Sequence, residues 1–203
     1  MFITISGLIG AGKSTLAEAL SKKMNLKLYK EKVEDNPYLP LFYSDMDKWS
    51  IQMELYLLKE RYKQQLEVIS SGGVQDRSIY EDKIFVDMLS DSGKIHDLDK
   101  IMYYDYFDIL MKNIQKPNLI IHLDVKPEIA LERIKMRNRS CETGVSINYL
   151  VSLNSMYQKH IKLWSKELNV IVLNYNNFLD VNKIVDIISE YIQKNSGVKN
   201  IEI

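Results

Sequence analysis

The run Gly7-Leu8-Ile9-Gly10-Ala11-Gly12-Lys13-Ser14-Thr15 directly follows the apolar segment 1–5. Gly7, Gly10, Ala11 and Gly12 are small enough to let backbone N–H groups close around an anionic phosphate. A helix starting there adds the partial positive charge of its N-terminus. Lys13 supplies a cation for the β- and γ-phosphates, and Ser14, beside Thr15, has the hydroxyl that this position needs to hold Mg²⁺. GxxxxGK[ST] between a strand and a helix points to a nucleoside triphosphate ligand, with Mg²⁺ as cofactor.

Two further segments carry acids that could serve such a triphosphate. One is Lys30-Glu31-Lys32-Val33-Glu34-Asp35-Asn36-Pro37-Tyr38, and the other is Asp76-Arg77-Ser78-Ile79-Tyr80-Glu81-Asp82. A carboxylate facing the γ-phosphate can take a proton from an attacking hydroxyl, and Glu31 and Glu34 are both candidates. Asp76 can help Ser14 hold Mg²⁺, and Arg77 can offset transition-state charge. Arg133 and Arg137 share a helical face, with Arg139 just beyond. Three arginines at this spacing suit the oxygens of a triphosphate. Asp124 ends an apolar run and is read as structural, because Asp76 already fills the metal position. The three histidines lie far apart, and Cys141 is the only cysteine. Neither metal-ligand spacing nor thiol catalysis is suggested.

These residues must be positioned by an alternating pattern of short apolar and longer amphipathic runs, which predicts an α/β fold. Strands are expected at 2–6, 27–30, 73–76, 118–124 and 169–174. Helices are expected at 14–24, about 46–70, 79–91, about 97–115, 127–137, 146–167 and 180–194. The result would be a five-stranded parallel sheet covered by helices on both faces, with ligands at the carboxyl ends of the strands. Its 203 residues suit a single domain spanning 1–203. Basic and acidic residues balance at 27 each, so no broad footprint for nucleic acid is expected. No apolar run reaches membrane-spanning length. One cysteine excludes an internal disulfide, and the phosphate loop starts too early to leave room for a cleaved signal, so a cytoplasmic setting is expected.

Taken together, the phosphate loop, the segment 30–39, Trp49-Ser50 with the helix to Arg61, the segment 76–82 and the arginine-rich stretch resemble the deoxyribonucleoside kinase family. The similarity covers roughly 1–178 and is greatest to its bacterial deoxyguanosine and deoxyadenosine kinases. It implies a P-loop kinase fold with an arginine-rich lid at about 137–145 and 5′-phosphorylation of a deoxynucleoside. In this family a Glu-Pro-Val segment carries the catalytic base. Its counterpart here is Glu31-Lys32-Val33, with lysine in place of proline, so Glu34 stays open as an alternative. The resemblance further implies that Arg77 holds the base and the developing charge, and that Asp76 works with Ser14 around Mg²⁺. Tyr43 and Glu142 would bind the 3′-hydroxyl, and Arg133, Arg137 and Arg139 would close over the donor.

The base pocket departs from the family in one place. Most members have glutamine where Glu54 stands here. A carboxylate only accepts hydrogen bonds, so it suits the two donors of guanine, N1–H and N2–H. Arg61 and Asp82 align with the family's base-reading pair and would face the O6/N7 side. Deoxyguanosine is therefore expected first and deoxyadenosine next. A monophosphate kinase of the thymidylate kinase type is the nearest rival, but between Lys13 and Arg61 the cations are all lysines, and Glu31 would repel an anionic acceptor. A non-catalytic nucleotide-binding regulator is a further alternative. By family analogy a homodimer is expected through helices at about 46–70 and 97–115, where Tyr103, Tyr104, Tyr106 and Phe107 would either leave apolar surface needing cover or equally be ordinary core.

Overall fold

The apolar run behind the first methionine becomes β1 (Phe2–Gly7), with every residue buried. A strand buried on both faces, Thr4 and Ser6 included, belongs in the middle of a parallel sheet. A computed structural model, describing residues 1–32, 36–139, 144–194 and 199–201, places it there. The phosphate loop leads into α1 (Lys13–Met24), and the chain returns as the short β2 (Leu28–Tyr29). There follow α2 (Leu39–Ser44), the long α3 (Met46–Ser71) and β3 (Gly73–Asp76). A 3₁₀ turn at Ile79–Glu81 opens α4 (Asp82–Asp91), after which come α5 (Asp97–Met111), β4 (Leu119–Asp124) and α6 (Pro127–Arg137). The chain continues through α7 (Ile147–Trp164), β5 (Val170–Asn174), α8 (Val181–Lys194) and β6 (Lys199–Ile201).

All strands run parallel in the order β2-β3-β1-β4-β5-β6. The five strands expected from the sequence are present. β6 is an addition, and its Lys-Asn-Ile sequence has no apolar run to announce it. Helix α2 was also not anticipated. Six residues are too short to display a helical period, and Pro40, tolerated in a first turn, reads as a breaker. The expected helix 79–91 is divided at its start because Ser78 and Glu81 form a capping box that tightens the first turn.

The core is the sheet's apolar faces, exemplified by Ile3, Ile5, Ile121 and Leu123, packed against the helices. Of the four aromatics on α5 for which surface and core readings were both open, Tyr103 and Phe107 belong to this core, whereas Tyr106 is exposed. The exposed side of α5 is made by Leu98, Ile101, Met102, Tyr106 and Ile109. Among the described residues, no helix is long and apolar enough to cross a membrane.

Candidate active site

Because β3 lies between β2 and β1, the carboxyl ends of these three strands open side by side. Ile5 is in register with Asp76, and Tyr29 with Gln75. The residues just beyond them surround a cleft of about 1050 Å³. The phosphate loop forms one end of it and the wall of α3 the other.

The loop's backbone demands glycine. Gly10 has φ +81°, and a Cβ there would sit 2.4 Å from the Ala130 carbonyl oxygen. Gly12 has φ +97° and caps the N-terminus of α1. Lys13 Nζ donates to the carbonyls of Gly7 at 3.1 Å and Leu8 at 2.8 Å. Burial, reinforced by the nearby charge of Arg77, pushes the Lys13 ammonium down to about 8. An incoming polyphosphate restores its preference for the charged form. Ser14 hydrogen bonds to Asp76, whose Oδ1 is buried and has no partner among the described residues. Burial raises the Asp76 pKa against the pull of Lys13. An exposed hydroxyl on a buried carboxylate with a spare oxygen, beside a phosphate site, fits Mg²⁺, which takes few protein ligands and completes its shell with phosphate oxygens and water.

Arg77 sits in a left-handed conformation at φ 64°, a strain of about 1–2 kcal/mol for a residue with a side chain. Its contacts hold it there. The backbone N–H donates to Ile5 at 3.0 Å, and Nη2 donates to the Gly7 carbonyl at 3.2 Å. Nη1 donates to Glu81 at 2.6 Å and to the Tyr157 hydroxyl at 2.5 Å, and Tyr157 itself donates to Glu81. The guanidinium lies 4.9 Å from the ring centre of Phe85. Glu81 thus caps the 3₁₀ turn and anchors the arginine.

Glu31 enters this frame from the segment after β2. Its Oε1 lies 2.7 Å from Arg61 Nη2 and 3.1 Å from Arg77 Nε. Burial alone would raise this carboxyl, but Arg77, Arg61 and Lys13 together outweigh it and hold the group at about 2. The carboxylate is therefore ionised and oriented between the phosphate loop and the α3 wall. Glu34 lies outside the described residues.

The α3 wall carries Glu54 and Arg61, two turns apart on one face. Glu54 is 2% exposed, and its Oε2 has no hydrogen-bond partner among the described residues. Burial pushes it up to about 8, with Arg61 lowering and Asp82 raising it. Arg61 Nη1 is paired with Asp82. Asp82 itself is fully buried behind Arg61 and does not border the cleft, because the first turn of α4 packs against the arginine. It reaches the pocket through Arg61. Burial, countered by Arg61, brings Asp82 up to about 7.

Tyr43 borders the cleft next to Gly144, where an added Cβ would meet the tyrosine ring at 3.2 Å. Arg137 and Arg139 also border it. Arg133 does not. Its guanidinium donates to the carbonyls of Ala11 at 3.0 Å, Tyr175 at 3.0 Å and Asn176 at 2.8 Å, and lies 4.4 Å from the centre of Phe178. In this arrangement Arg133 braces the phosphate loop from behind. Glu142, with residues 140–143 of the expected lid, falls outside the described residues. Phe85, Tyr149 and Tyr157 escaped the sequence reading, since an aromatic at helical spacing is indistinguishable from ordinary core. No signal in the chain pointed to them.

This geometry defines a phosphoryl-transfer site: a triphosphate loop, an ionised carboxylate and two buried arginines around one cleft. The deoxynucleoside kinase family matches residues 3–195. A deoxyadenosine kinase of Dictyostelium discoideum is 48% identical over 192 residues, covering 93% of this chain and 78% of that protein. A deoxyguanosine kinase of Bacillus subtilis (strain 168) is 39% identical over 168 residues, 79% of this chain and 78% of that one. The solved deoxyadenosine kinase from M. mycoides with bound dATP superposes with a TM-score of 0.84 at 31% identity, covering 96% of this chain and all of that one. The chain belongs to the deoxynucleoside kinase family and is a kinase of deoxynucleosides.

Proposed function

We propose that the protein acts as a single domain transferring the γ-phosphate of ATP to the 5′-hydroxyl of purine deoxyribonucleosides. The observation that carries this reading is the placement of Glu31 Oε1, shared by Arg61 and Arg77 between the phosphate loop and the Glu54 pocket. Glu31 takes the proton of the 5′-hydroxyl, while Arg77 steadies the charge that develops. Lys13 and the loop amides hold the donor phosphates, with Arg137 and Arg139 on the cleft's rim. A magnesium ion held by Ser14 and Asp76 would supply phosphate charge neutralisation. Tyr43 and Glu142 bind the 3′-hydroxyl.

Glu54 and Arg61 favour a purine. Deoxyguanosine first was expected of an ionised Glu54, but a carboxyl held near 8 is largely neutral at pH 7. Deoxyadenosine then gains, in keeping with the 48% identity to a deoxyadenosine kinase. The exposed apolar face of α5, with Leu98, Ile101, Tyr106 and Ile109, suits a second copy of the chain in a homodimer. A cytoplasmic location fits nucleotide salvage.

The test measures ATP consumption with each of the four deoxynucleosides and with deoxyguanosine monophosphate. The expected result is consumption that depends on added purine deoxynucleoside and yields the 5′-monophosphate. Turnover of the monophosphate but not the nucleoside would establish the rival monophosphate kinase. Consumption independent of any acceptor would remove the kinase assignment of the cleft.

A further inference from the structure

Three buried cations, Lys13, Arg61 and Arg77, stand among five carboxyl groups: Glu31, Glu54, Asp76, Glu81 and Asp82. The guanidiniums are already engaged. Arg61 gives Nη1 to Asp82 and Nη2 to Glu31, and Arg77 gives Nε to Glu31 and Nη1 to Glu81. Glu54 receives neither, although it borders the cleft and its Oε2 is buried.

The charged and titratable groups facing Glu54 come from every side. They are Arg61 on its own helix, Asp82 at the start of α4, Arg77 after β3, Glu31 after β2, Tyr103 on α5 and Tyr149 on α7. Two arginines already engaged by three acids, Glu31, Glu81 and Asp82, leave no surplus positive charge for a further buried anion, and an unpaired buried carboxylate is costly. The neutral acid is the natural state of the free pocket at neutral pH, in line with its upward shift to about 8.

A neutral carboxylic acid has one O–H donor and one carbonyl acceptor, the same pair that a glutamine amide offers. That pair complements adenine, whose N1 accepts and whose N6–H donates. Without its proton, the group has two acceptors and complements guanine N1–H and N2–H. We propose that Glu54 sorts the purines by its own protonation state, the neutral acid taking deoxyadenosine and the carboxylate taking deoxyguanosine. The inference rests on the purine reading given above. Binding deoxyguanosine then releases the Glu54 proton to solvent, whereas binding deoxyadenosine keeps it. By linkage, the selectivity ratio for deoxyguanosine over deoxyadenosine rises tenfold per pH unit.

The experiment sets both purines in competition in one reaction from about pH 6 to about pH 8.5, so that titrations shared by the two substrates cancel. The expected wild-type ratio climbs by about tenfold per unit, and Glu54→Gln makes it flat with deoxyadenosine ahead. A flat wild-type ratio, or an equal slope in the variant, overturns the proposal while leaving the purine reading intact. Phosphorylation of pyrimidine deoxynucleosides alone overturns both. Should the variant fail to fold, calorimetry of wild-type protein near pH 6.5 in buffers of different ionisation enthalpy decides: about one proton released with deoxyguanosine and none with deoxyadenosine. Equal proton counts for the two purines would refute it.

Discussion

Arg61 Nη2 lies 2.7 Å from Glu31 Oε1, so the arginine of the base pocket also positions the carboxylate beside the phosphate loop. Acceptor recognition and proton removal are coupled through one guanidinium. Glu31→Gln keeps the size and the hydrogen-bonding reach but loses the base. Its kcat is expected to fall by about 10²–10⁴, with the deoxynucleoside KM changing only a few-fold. The sign of the stability effect is also fixed. Glu31 has its folded pKa lowered from 4.5 to about 2, so its contribution is present above 4.5 and lost as pH falls toward 2. Thermal melts between these values should show wild type losing more Tm on acidification than Glu31→Gln. Equal losses would mean that the ion pairs contribute nothing to folding.

Glu54 has the opposite sign. Its pKa is raised from 4.5 to about 8, so folding is unhindered below 4.5 and stability is lost as pH rises toward 8. Glu54→Gln removes the penalty and should stabilise the free protein at pH 8, by on the order of a few kcal/mol at most. For a chain of this size that is about 2–4 °C of Tm per kcal/mol. Melts at pH 5 and pH 8 check it: the gain belongs at pH 8, and a gain of the same size at pH 5 would reject the titration.

Gly10 and Gly12 both have positive φ, yet their substitution should differ. At Gly10 a Cβ meets the Ala130 carbonyl oxygen at 2.4 Å and Ile134 Cγ1 at 2.8 Å, and backbone cannot step aside. At Gly12 the nearest atom, at 3.0 Å, belongs to the ring of Phe178, a side chain 62% exposed. Gly12→Ala therefore adds mainly backbone strain of about 1–2 kcal/mol, and Gly10→Ala adds a displacement of α6 on top. Denaturant melts should place Gly10→Ala below Gly12→Ala, and ATP affinity should follow the same order.

The sequence made the phosphate loop legible because glycine, lysine and serine spacing is local and each position has a backbone or phosphate reason. Strands β1 and β4 were legible from equally local signals, because each is rich in isoleucine and leucine and closes on a polar or turn residue. Glu31, Glu54, Arg61, Asp76 and Arg77 were found through motifs, and the sheet order brings them to one cleft. Sequence alone left two things out. Tyr157 reaches Arg77 from a helix far along the chain, a partnership that only the packing of α7 creates. The protonation of Glu54 depends on which acids the two arginines have already engaged, and one-dimensional spacing does not record that.

Arg133 tests the same distinction at the donor end. Its spacing with Arg137 suggested a phosphate clamp, but its donors go to the carbonyls of Ala11, Tyr175 and Asn176. A guanidinium can satisfy three carbonyls at once, whereas an ammonium on a thinner stem cannot match that planar fork. Arg133→Lys is expected to lose one or two charged hydrogen bonds, about 2–4 kcal/mol, and to lower the Tm of the ligand-free protein by about 5 °C or more. The loosened phosphate loop should then raise the ATP KM several-fold while the deoxynucleoside KM holds. An arginine acting only on phosphates would give the reverse pattern: an unchanged ligand-free Tm with loss confined to ATP binding. The melt without nucleotide therefore decides whether Arg133 braces the loop or leaves it to grip the donor.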